Sequence, residues 1–416
     1  MNKLKNIPLT TQVLVATIGG IVFGALVGPW ASNLKFIGDI FLRLIQMTVV
    51  VLVMSSIIAA VGGEDMDQLG KMGVHTFKWI LIFTIASALL GVALSLIIKP
   101  GYGINLVDSA SIDKVEIGEA SLTDTLVNFI PTNIFKSMAE GAMVPCIVFS
   151  IFFGIGLGSY TKVSKNTVVI DFIKAVNTII TNIIGMVMKI APIGIFALLA
   201  DVAGSVGFSV IGPMVKFLGL LLIGDLIQFL IYIPLTGAIA KVNPIMIPKK
   251  LANMSIMALT TTSGAVCLPT KMKDSYEKFG IDRKVVDFTG PITMSMNSTG
   301  AVQCYVAAIF FMAYASGISL SPYQIVMAIV LSTLMCLGTI SVPGGSVIVY
   351  TFLAQSLGLP LESLSILIGI DWFAGMFRTI MNVDVDVLIG VLVSSKLDNL
   401  DRDVFYNRKT VVYNED

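Results

Sequence analysis

The sequence predicts an all-α membrane protein with eight transmembrane helices and two re-entrant helical hairpins. Hydrophobic residues make up 56% of its 416 residues, charged residues only 13%, and the mean hydropathy is +0.90. Water therefore cannot be the solvent for most of its surface. Apolar runs of about 20 residues, the length that crosses a bilayer as a helix, recur along the chain. Two further apolar segments contain helix breakers near their centres.

Eight apolar runs predict the spans 11–29, 37–62, 76–98, 143–160, 169–200, 209–240, 288–315 and 364–394. Loop cations such as Lys3, Lys5, Lys162 and Lys165 fall on one side if the chain starts in the cytoplasm, which also places the end of the chain there. We therefore expect both termini to be cytoplasmic. The first apolar run lacks a cleavage pattern and is interpreted as a span rather than as a signal peptide.

Two further apolar segments, 251–270 and 323–358, predict the hairpins. Lys271 and other cations follow the first segment, so we expect it to enter and leave through the cytoplasmic face. The connections around the second segment contain no Lys or Arg, which predicts a hairpin dipping from the opposite face. The tips "TTTSGAVCLP" and "GTISVPGGS" would leave unpaired backbone groups that must line an enclosed, wet cavity. Ordinary Gly/Pro kinks in packed helices are the alternative.

Polar residues in the last predicted span share one helical face, being spaced three or four residues apart: Asp371, Gly375, Arg378, Asn382 and Asp386. A charge at bilayer depth costs about 2.5 kcal/mol or more. Two acids and one base leave a charge of −1, which favours a cation site. Asp386 and Asn382 offer oxygens for Na⁺, and Arg378 offers a fork that suits a carboxylate. A structural Asp371–Arg378–Asp386 network is the alternative.

A second polar patch, Asn297-Ser298-Thr299-Gly300, interrupts the span 288–315. Asparagine and glycine in the middle of a membrane span predict an unwound turn, because exposed backbone is tolerated there only where it lines a cavity. We expect carbonyl oxygens of this turn to face ions.

Several motifs together resemble the dicarboxylate/amino acid:cation symporter family, which has the glutamate-transporter fold. They include "FLRLIQM", "PTNIFKSMAEG", "APIGIFALLA", "GTISVPGG" and the "RT..NV..D" pattern of the last span. The resemblance implies a fold of inverted repeats. It also implies a homotrimer in a bacterial-type inner (plasma) membrane, in contact with membrane lipids and a small anionic substrate. It implies scaffold helices in 1–75 and 126–207, and a transport unit that moves as an elevator in 76–125 and 208–416. The net charge of +1 suggests no nucleic-acid partner.

The resemblance also assigns substrate-binding residues. Arg378 matches the arginine that holds a distal carboxylate, and Thr379 and Asn382 match its neighbours. Amino-acid carriers of the family have an aspartate for the substrate ammonium where this sequence has Gly375, and an unpaired buried charge is expensive. We therefore expect a dicarboxylate without an amino group, such as succinate, fumarate or malate. The hairpin tips would hold the other carboxylate, through Thr262, Ser263, Gly264, Ala265, Val342, Pro343, Gly344 and Gly345.

Two Na⁺ positions match the family. One uses Asn382, Asp386 and carbonyls near Ser295 and Asn297; the other uses carbonyls of Cys336, Leu337 and Thr339. A third family position has lost its motif, so we expect Na⁺ coupling with fewer ions than amino-acid carriers use. Proton coupling through Asp371 or Asp386 is the alternative.

Three other functions compete with this interpretation. An acidic amino acid symporter would hold the substrate ammonium with hydroxyls or with Asp371. A passive anion channel would select anions with Arg378. An intramembrane aspartyl protease would need two carboxylates that share a proton, whereas Asp384 and Asp386 point apart. We expect no enzymatic activity, and the sequence assigns no role to Asp201, Asp225 or Asp384.

Overall fold

A computed structural model describes residues 9–62, 70–104, 127, 130–140, 143–336 and 345–413. These residues are helical and form no strand beyond one isolated bridge, between Ile281 and Leu400. The helices are α1 Leu9–Val27, α2 Lys35–Gln46, α3 Val49–Gly62, α4 Gly70–Ile98, α5 Ile134–Ala139, α6 Met143–Ser164, α7 Val168–Met188, α8 Ala191–Val206, α9 Ile211–Ala240, α10 Met246–Thr261, α11 Gly264–Glu277, α12 Arg283–Met296, α13 Thr299–Ala315, α14 Pro322–Cys336, α15 Gly345–Ser356, α16 Leu364–Lys396 and α17 Arg402–Phe405. The all-α prediction is confirmed.

Six helical stretches of the described residues are long and apolar enough to cross a membrane. They are Val15–Phe41, Lys71–Ile98, Pro145–Ser164, Val168–Val187, Gly207–Ala240 and Arg283–Ala315. A membrane protein with several spans is thereby supported, and the number of eight stays a prediction.

The predicted span 37–62 is two helices in the structure, α2 and α3, separated by a turn at Met47 and Thr48. Lys35, Asp39 and Arg43 follow one another at four-residue intervals along α2. This spacing gives α2 a polar face, which a single apolar span would not have.

The predicted span 169–200 is also divided, into α7 and α8. Pro192 lies in the first turn of α8. Because proline has no N–H group, it cannot continue the hydrogen-bond ladder of α7 and is instead accommodated at a helix start.

The first predicted hairpin folds back on itself. α10 ends at Thr262, which has a left-handed φ of +50°, and Ser263 caps α11 by accepting a hydrogen bond from the Val266 amide. At the other end of the pair, Lys250 Nζ donates to the Lys278 carbonyl at 2.8 Å. The start of α10 therefore lies beside the end of α11, while the entry of this pair into a membrane stays a prediction.

The second predicted hairpin has the same geometry. Gln324 Nε2, near the start of α14, donates to the carbonyl of Leu357, just beyond α15, at 3.1 Å. Gly345 is the first residue of α15. The tip between the two helices lies outside the described residues, and with it the predicted positions Leu337, Thr339, Val342, Pro343 and Gly344.

Helix α16 runs through both of the large buried clusters of the molecule. Its first part, including Ile366 and Ala374, packs in a cluster with α1, α8, α9 and α13. Its second part, including Met381 and Leu392, packs in a cluster with α10, α11 and α12. The charged residues of α16 therefore lie where the two clusters meet.

Candidate functional site

The first ionic contact of α16 joins Arg378 to Asp371. Arg378 Nη1 lies 2.8 Å from Asp371 Oδ1, and the two side chains are 13% and 10% exposed. Residues seven apart lie two helical turns apart on one face, which lets the long arginine side chain reach back along the helix. The predicted shared face thus brings these two residues into contact.

Helix α15 supplies two further partners of this pair. Ser346 Oγ donates to Asp371 Oδ2 at 2.6 Å. The Tyr350 hydroxyl donates to Asp371 Oδ1 at 3.1 Å and accepts from Arg378 Nη1 at 2.8 Å. Ser346 and Tyr350 are four residues apart, so they lie on one face of α15. Cys304 of α13 adds a thiol 3.7 Å from Nη1.

Gly375 leaves space on the other side of the guanidinium. A Cβ atom placed at Gly375 would lie 3.4 Å from Arg378 Nη2 and 3.9 Å from Thr262 Cβ. The buried hydroxyl of Thr262 has no hydrogen-bond partner among the residues that the structure describes. A guanidinium nitrogen and the Cβ and methyl carbons of Thr262 therefore flank the position where this chain lacks a side chain.

The tip of the first hairpin carries backbone donors two and three residues beyond Thr262. Gly264 and Ala265 begin α11, and the first amides of a helix have no partners within the helix. They also carry the positive end of the helix dipole, which favours an anion.

Thr379, the residue of α16 that follows Arg378, is buried, with 5% of its surface exposed.

A second ionic contact lies two turns further along α16. Lys271 Nζ lies 2.5 Å from Asp386 Oδ2, and both side chains are 3% exposed. The other carboxylate oxygen, Oδ1, accepts from Asn297 Nδ2 at 2.7 Å. Asp386 is therefore bound by one cation and one amide.

The predicted unwound turn is present at Asn297 and Ser298, between α12 and α13. Ser295 belongs to the last turn of α12. Asn297 Nδ2 also contacts the Asn382 carbonyl at 3.3 Å, and the Gly300 amide donates to Asn382 Oδ1 at 2.8 Å. A Cβ at Gly300 would lie 2.6 Å from the Arg378 carbonyl, so only glycine permits this approach.

Lys271 corrects two statements drawn from the sequence. It was expected in a cytoplasmic loop, but it lies in α11 and is 2% exposed. Its charge also balances Asp386, so the −1 of the charged face of α16 is neutralised by a residue of α11 and does not by itself indicate a free cation. The alternative network is present only in part, because Asp371 pairs with Arg378 whereas Asp386 pairs with Lys271.

Asp384 points away from this face, as its spacing predicts. Its Oδ2 accepts from Ser255 of α10 at 2.7 Å, and its Oδ1 has no partner in the described part of the chain. Both residues line a groove of about 450 Å³ between α9 and α10 whose other walls are apolar. Asp384 and Asp386 thus bind different partners, unlike a protease dyad.

The family is decided by comparison with known proteins. A profile described as the sodium:dicarboxylate symporter family matches residues 9–396. The chain belongs to this symporter family. A proton/sodium-glutamate symport protein of Bacillus subtilis is 32% identical over 403 residues, covering 93% of this chain and 92% of that protein.

Two further relatives of this symporter family member are named for other or additional substrates. A proton/glutamate-aspartate symporter of Escherichia coli is 29% identical, covering 99% of this chain and 97% of its own. A C4-dicarboxylate transport protein of Rhizobium johnstonii is 27% identical, covering 94% and 90%. The resemblance seen in the sequence is thereby confirmed, and the family transports its substrates across membranes rather than converting them chemically.

Sequence reasoning missed several residues of the symporter's two ionic contacts. Ser346, Tyr350 and Cys304 reach the Asp371–Arg378 pair from other helices, and no spacing within one helix shows such contacts. For Lys271 the sequence does offer a signal. It lies only two residues after Pro269, within a helix that begins at Gly264 and continues to Glu277. Its nearness to true loop cations favoured the wrong interpretation.

Proposed function

We propose that the chain is a secondary active symporter that imports a small C4-dicarboxylate, such as succinate, fumarate or malate, together with Na⁺. The observation that supports this substrate is the space at Gly375 beside Arg378 Nη2. Thr262, whose hydroxyl has no partner among the described residues, lies on the neighbouring hairpin tip and offers a further donor. These groups suit a carboxylate, while no described carboxylate is free there for a substrate ammonium. Asp371 already accepts from Arg378, Ser346 and Tyr350.

In this proposal Arg378 binds one substrate carboxylate through Nη2, and the first hairpin tip provides further donors. Asn382 contributes its Nδ2 group, because its Oδ1 is taken by the Gly300 amide. The second substrate carboxylate binds at the hairpin tips, including the predicted positions Val342 to Gly345. A substrate held from α16 and both tips would be enclosed on several sides, as transporter sites are.

Sodium is the proposed coupled ion, supported by the description of the family. The carbonyl position at Cys336, Leu337 and Thr339 stays a prediction, because two of its three residues lie outside the described part of the chain. Proton coupling is the second candidate, supported by relatives named as proton or proton/sodium symporters.

The assembly and the motion are proposals as well. The chain is a homotrimer with both termini in the cytoplasm of a bacterial cell. Residues 1–75 and 126–207 form its scaffold, and residues 76–125 and 208–416 form a transport unit that moves as an elevator. The family membership of the chain and its bacterial relatives support this arrangement.

Acidic amino acid symport is the second candidate function. It is supported by the name of the Bacillus subtilis relative, which gives glutamate, and by that of the Escherichia coli relative, which gives glutamate and aspartate. The substrate ammonium would then need Asp371 to leave its present partners, or hydroxyls at the hairpin tips to replace a carboxylate.

Uptake by purified protein in liposomes tests the proposal. Na⁺ and pH gradients are set independently, and labelled succinate and labelled aspartate compete for uptake. Succinate uptake should follow the Na⁺ gradient and fall about 30-fold or more in Arg378→Ala, since removing one partner of a buried charge contact costs about 2 kcal/mol or more. Arg43→Ala, at an exposed arginine of α2, is the matched control and should keep uptake. Preferred uptake of aspartate, or uptake without any cation gradient, would contradict the proposal.

A further inference from the structure

Lys271 is a buried cation that the substrate site does not use. Its side chain leaves α11 and ends among oxygens of α12 and α16. Nζ lies 2.9 Å from the Gly290 carbonyl, 3.4 Å from Thr293 Oγ1 and 2.5 Å from Asp386 Oδ2. Each of the three N–H donors of an ammonium therefore has an oxygen acceptor.

The shell around this nitrogen is of the kind that a small metal cation takes. It combines a carbonyl, a hydroxyl and a carboxylate, all of which are hard oxygen ligands. The same carboxylate, Asp386, is the one that the sequence assigns to a Na⁺ position with Asn382 and Asn297. The lysine nitrogen and a sodium ion could not occupy this place together, because Oδ2 is in direct contact with Nζ and Oδ1 with the Asn297 amide.

The contact between Lys271 and Asp386 balances two buried charges. A carboxylate buried as deeply as Asp386 needs a compensating positive charge, because water does not reach it. Among the described residues that contact Asp386, Lys271 is the cation, and the Asn297 amide supplies only a dipole. A transporter without Lys271 would have to take that charge from solution.

We propose that the ammonium of Lys271 is a tethered cation that takes the place of a sodium ion at Asp386. The inference rests on the proposed function, since it states which of the cation positions of that symporter is used. The carrier binds no free Na⁺ at Asp386, and any Na⁺ that it transports binds elsewhere. The number of ions coupled to each substrate is therefore lower by one than in a relative that fills this position with Na⁺.

Sodium binding by the purified full-length protein tests the inference. Wild type and Lys271→Met are compared by binding of radioactive ²²Na⁺ and by thermal melting in NaCl or in choline chloride of equal ionic strength. The variant should bind about one more Na⁺ per chain than wild type, and its melting temperature should rise with Na⁺ but not with choline. Lys273→Met, at an exposed lysine of the same helix, should behave as wild type.

A double variant, Lys271→Met with Asp386→Asn, removes both charges and leaves no buried ion unpaired. It should bind the same number of sodium ions as wild type. If it binds fewer, Asp386 holds Na⁺ in wild type and the inference is wrong. A folded Lys271→Met protein that gains no Na⁺ binding would overturn it as well.

Uptake in the same preparations separates this inference from the proposed function. If wild type takes up no dicarboxylate under any gradient, the proposed substrate is wrong, while the comparison of Na⁺ binding still decides the role of Lys271.

Discussion

In the proposed function, Gly375 is the residue that most strongly determines which substrate is bound. A Cβ there would make an ordinary contact with Arg378 Nη2, at 3.4 Å, so the position has room for a side chain. In the proposed function, the absence of a carboxylate at this position leaves Arg378 Nη2 available to the substrate. It also removes the group that would compensate an ammonium in a buried site.

Replacing Gly375 with aspartate should therefore change the substrate. The new carboxylate would compete with a substrate carboxylate for Arg378 Nη2 and would attract an ammonium. We expect succinate uptake to fall about tenfold or more, corresponding to a loss of about 1.4 kcal/mol, and binding of aspartate relative to succinate to rise. Competitive uptake of the two labelled acids measures this ratio.

Gly375→Asn is the matched control, because asparagine has nearly the same size without the charge. It should lower succinate uptake less and should not raise the preference for aspartate. Equal behaviour of the two variants would mean that space, and not charge, sets the substrate at this position.

Residue spacing could predict only part of the site. The intervals within α16 predict that Asp371 and Arg378 share a face, since the period of one helix fixes which of its side chains are neighbours. Contacts between helices depend on how each helix is rotated against the next. For that reason spacing alone does not reveal Tyr350. The error at Lys271 has another cause, since its nearness to loop cations favours a loop over a continuing helix.

At the scale of helices, helix-breaking residues indicate correctly where the turns inside the hairpin and the interrupted span lie. They are less successful at showing where long apolar spans divide into two helices. The turns at Thr262 and at Asn297 fall where glycine, proline and short polar side chains cluster in the sequence. The divisions of the spans 37–62 and 169–200 were missed, because a long apolar run hides a break until the charges or the proline near it are weighed.

One short segment ties the end of the chain to the first hairpin. Gly280, just after α11, has a φ of +70°, and its carbonyl accepts from the Asp401 amide at 2.8 Å. Asp401 lies beyond α16, the last long helix. A hydrogen bond from Lys409 holds the pKa of the Asp401 carboxyl below its ordinary value. This contribution to stability is present above the ordinary aspartate pKa and is lost as the pH falls through the lowered value.

Gly280→Ala should loosen this connection. A Cβ at position 280 would lie 2.2 Å from the Asp401 carbonyl, and a left-handed φ also strains alanine by about 1 kcal/mol. We expect a lower melting temperature than in Gly317→Ala, which has a similar φ of +67° but no atom within 4 Å of the added Cβ. Equal melting temperatures of the two variants would show that backbone strain accounts for the whole loss of stability. The close approach of Asp401 to position 280 would then contribute nothing to it.

At the scale of the whole molecule, the proposed scaffold and the proposed transport unit contact each other at the start of α16. Thr17 of α1 donates to the Gly369 carbonyl of α16 at 3.0 Å. A Cβ at Gly369 would lie 2.5 Å from Leu199 Cδ1 of α8. In the proposed division, α1 and α8 belong to the scaffold and α16 to the transport unit, so an elevator must break these contacts in every cycle.

A disulfide between Leu199→Cys and Gly369→Cys should stop that motion. Leu199 Cγ lies 2.8 Å from the Cβ position at Gly369, so two cysteines there are within bonding distance once the leucine is shortened. Uptake should fall about tenfold or more on oxidation and return on reduction. Full uptake by a completely cross-linked protein would refute the proposed division into two units.

The control for oxidation lies inside the proposed scaffold. A Cβ at Gly62 of α3 would lie 3.5 Å from Leu157 Cβ of α6, so Gly62→Cys with Leu157→Cys should also form a disulfide. Its uptake should be the same before and after reduction, because the two helices do not move apart.

Asn297 touches both halves of the charged face of α16. Its amide bonds the Asn382 carbonyl and the Asp386 carboxylate, which lie about one and two turns beyond Arg378. In the proposed function, Asn382 contacts the substrate and Asp386 is the acidic residue of a cation position, so a displacement of Asn382 would also disturb Asp386 through this amide. Redesign of the carrier for another substrate, and natural divergence within the family, should therefore change residues at both positions in concert.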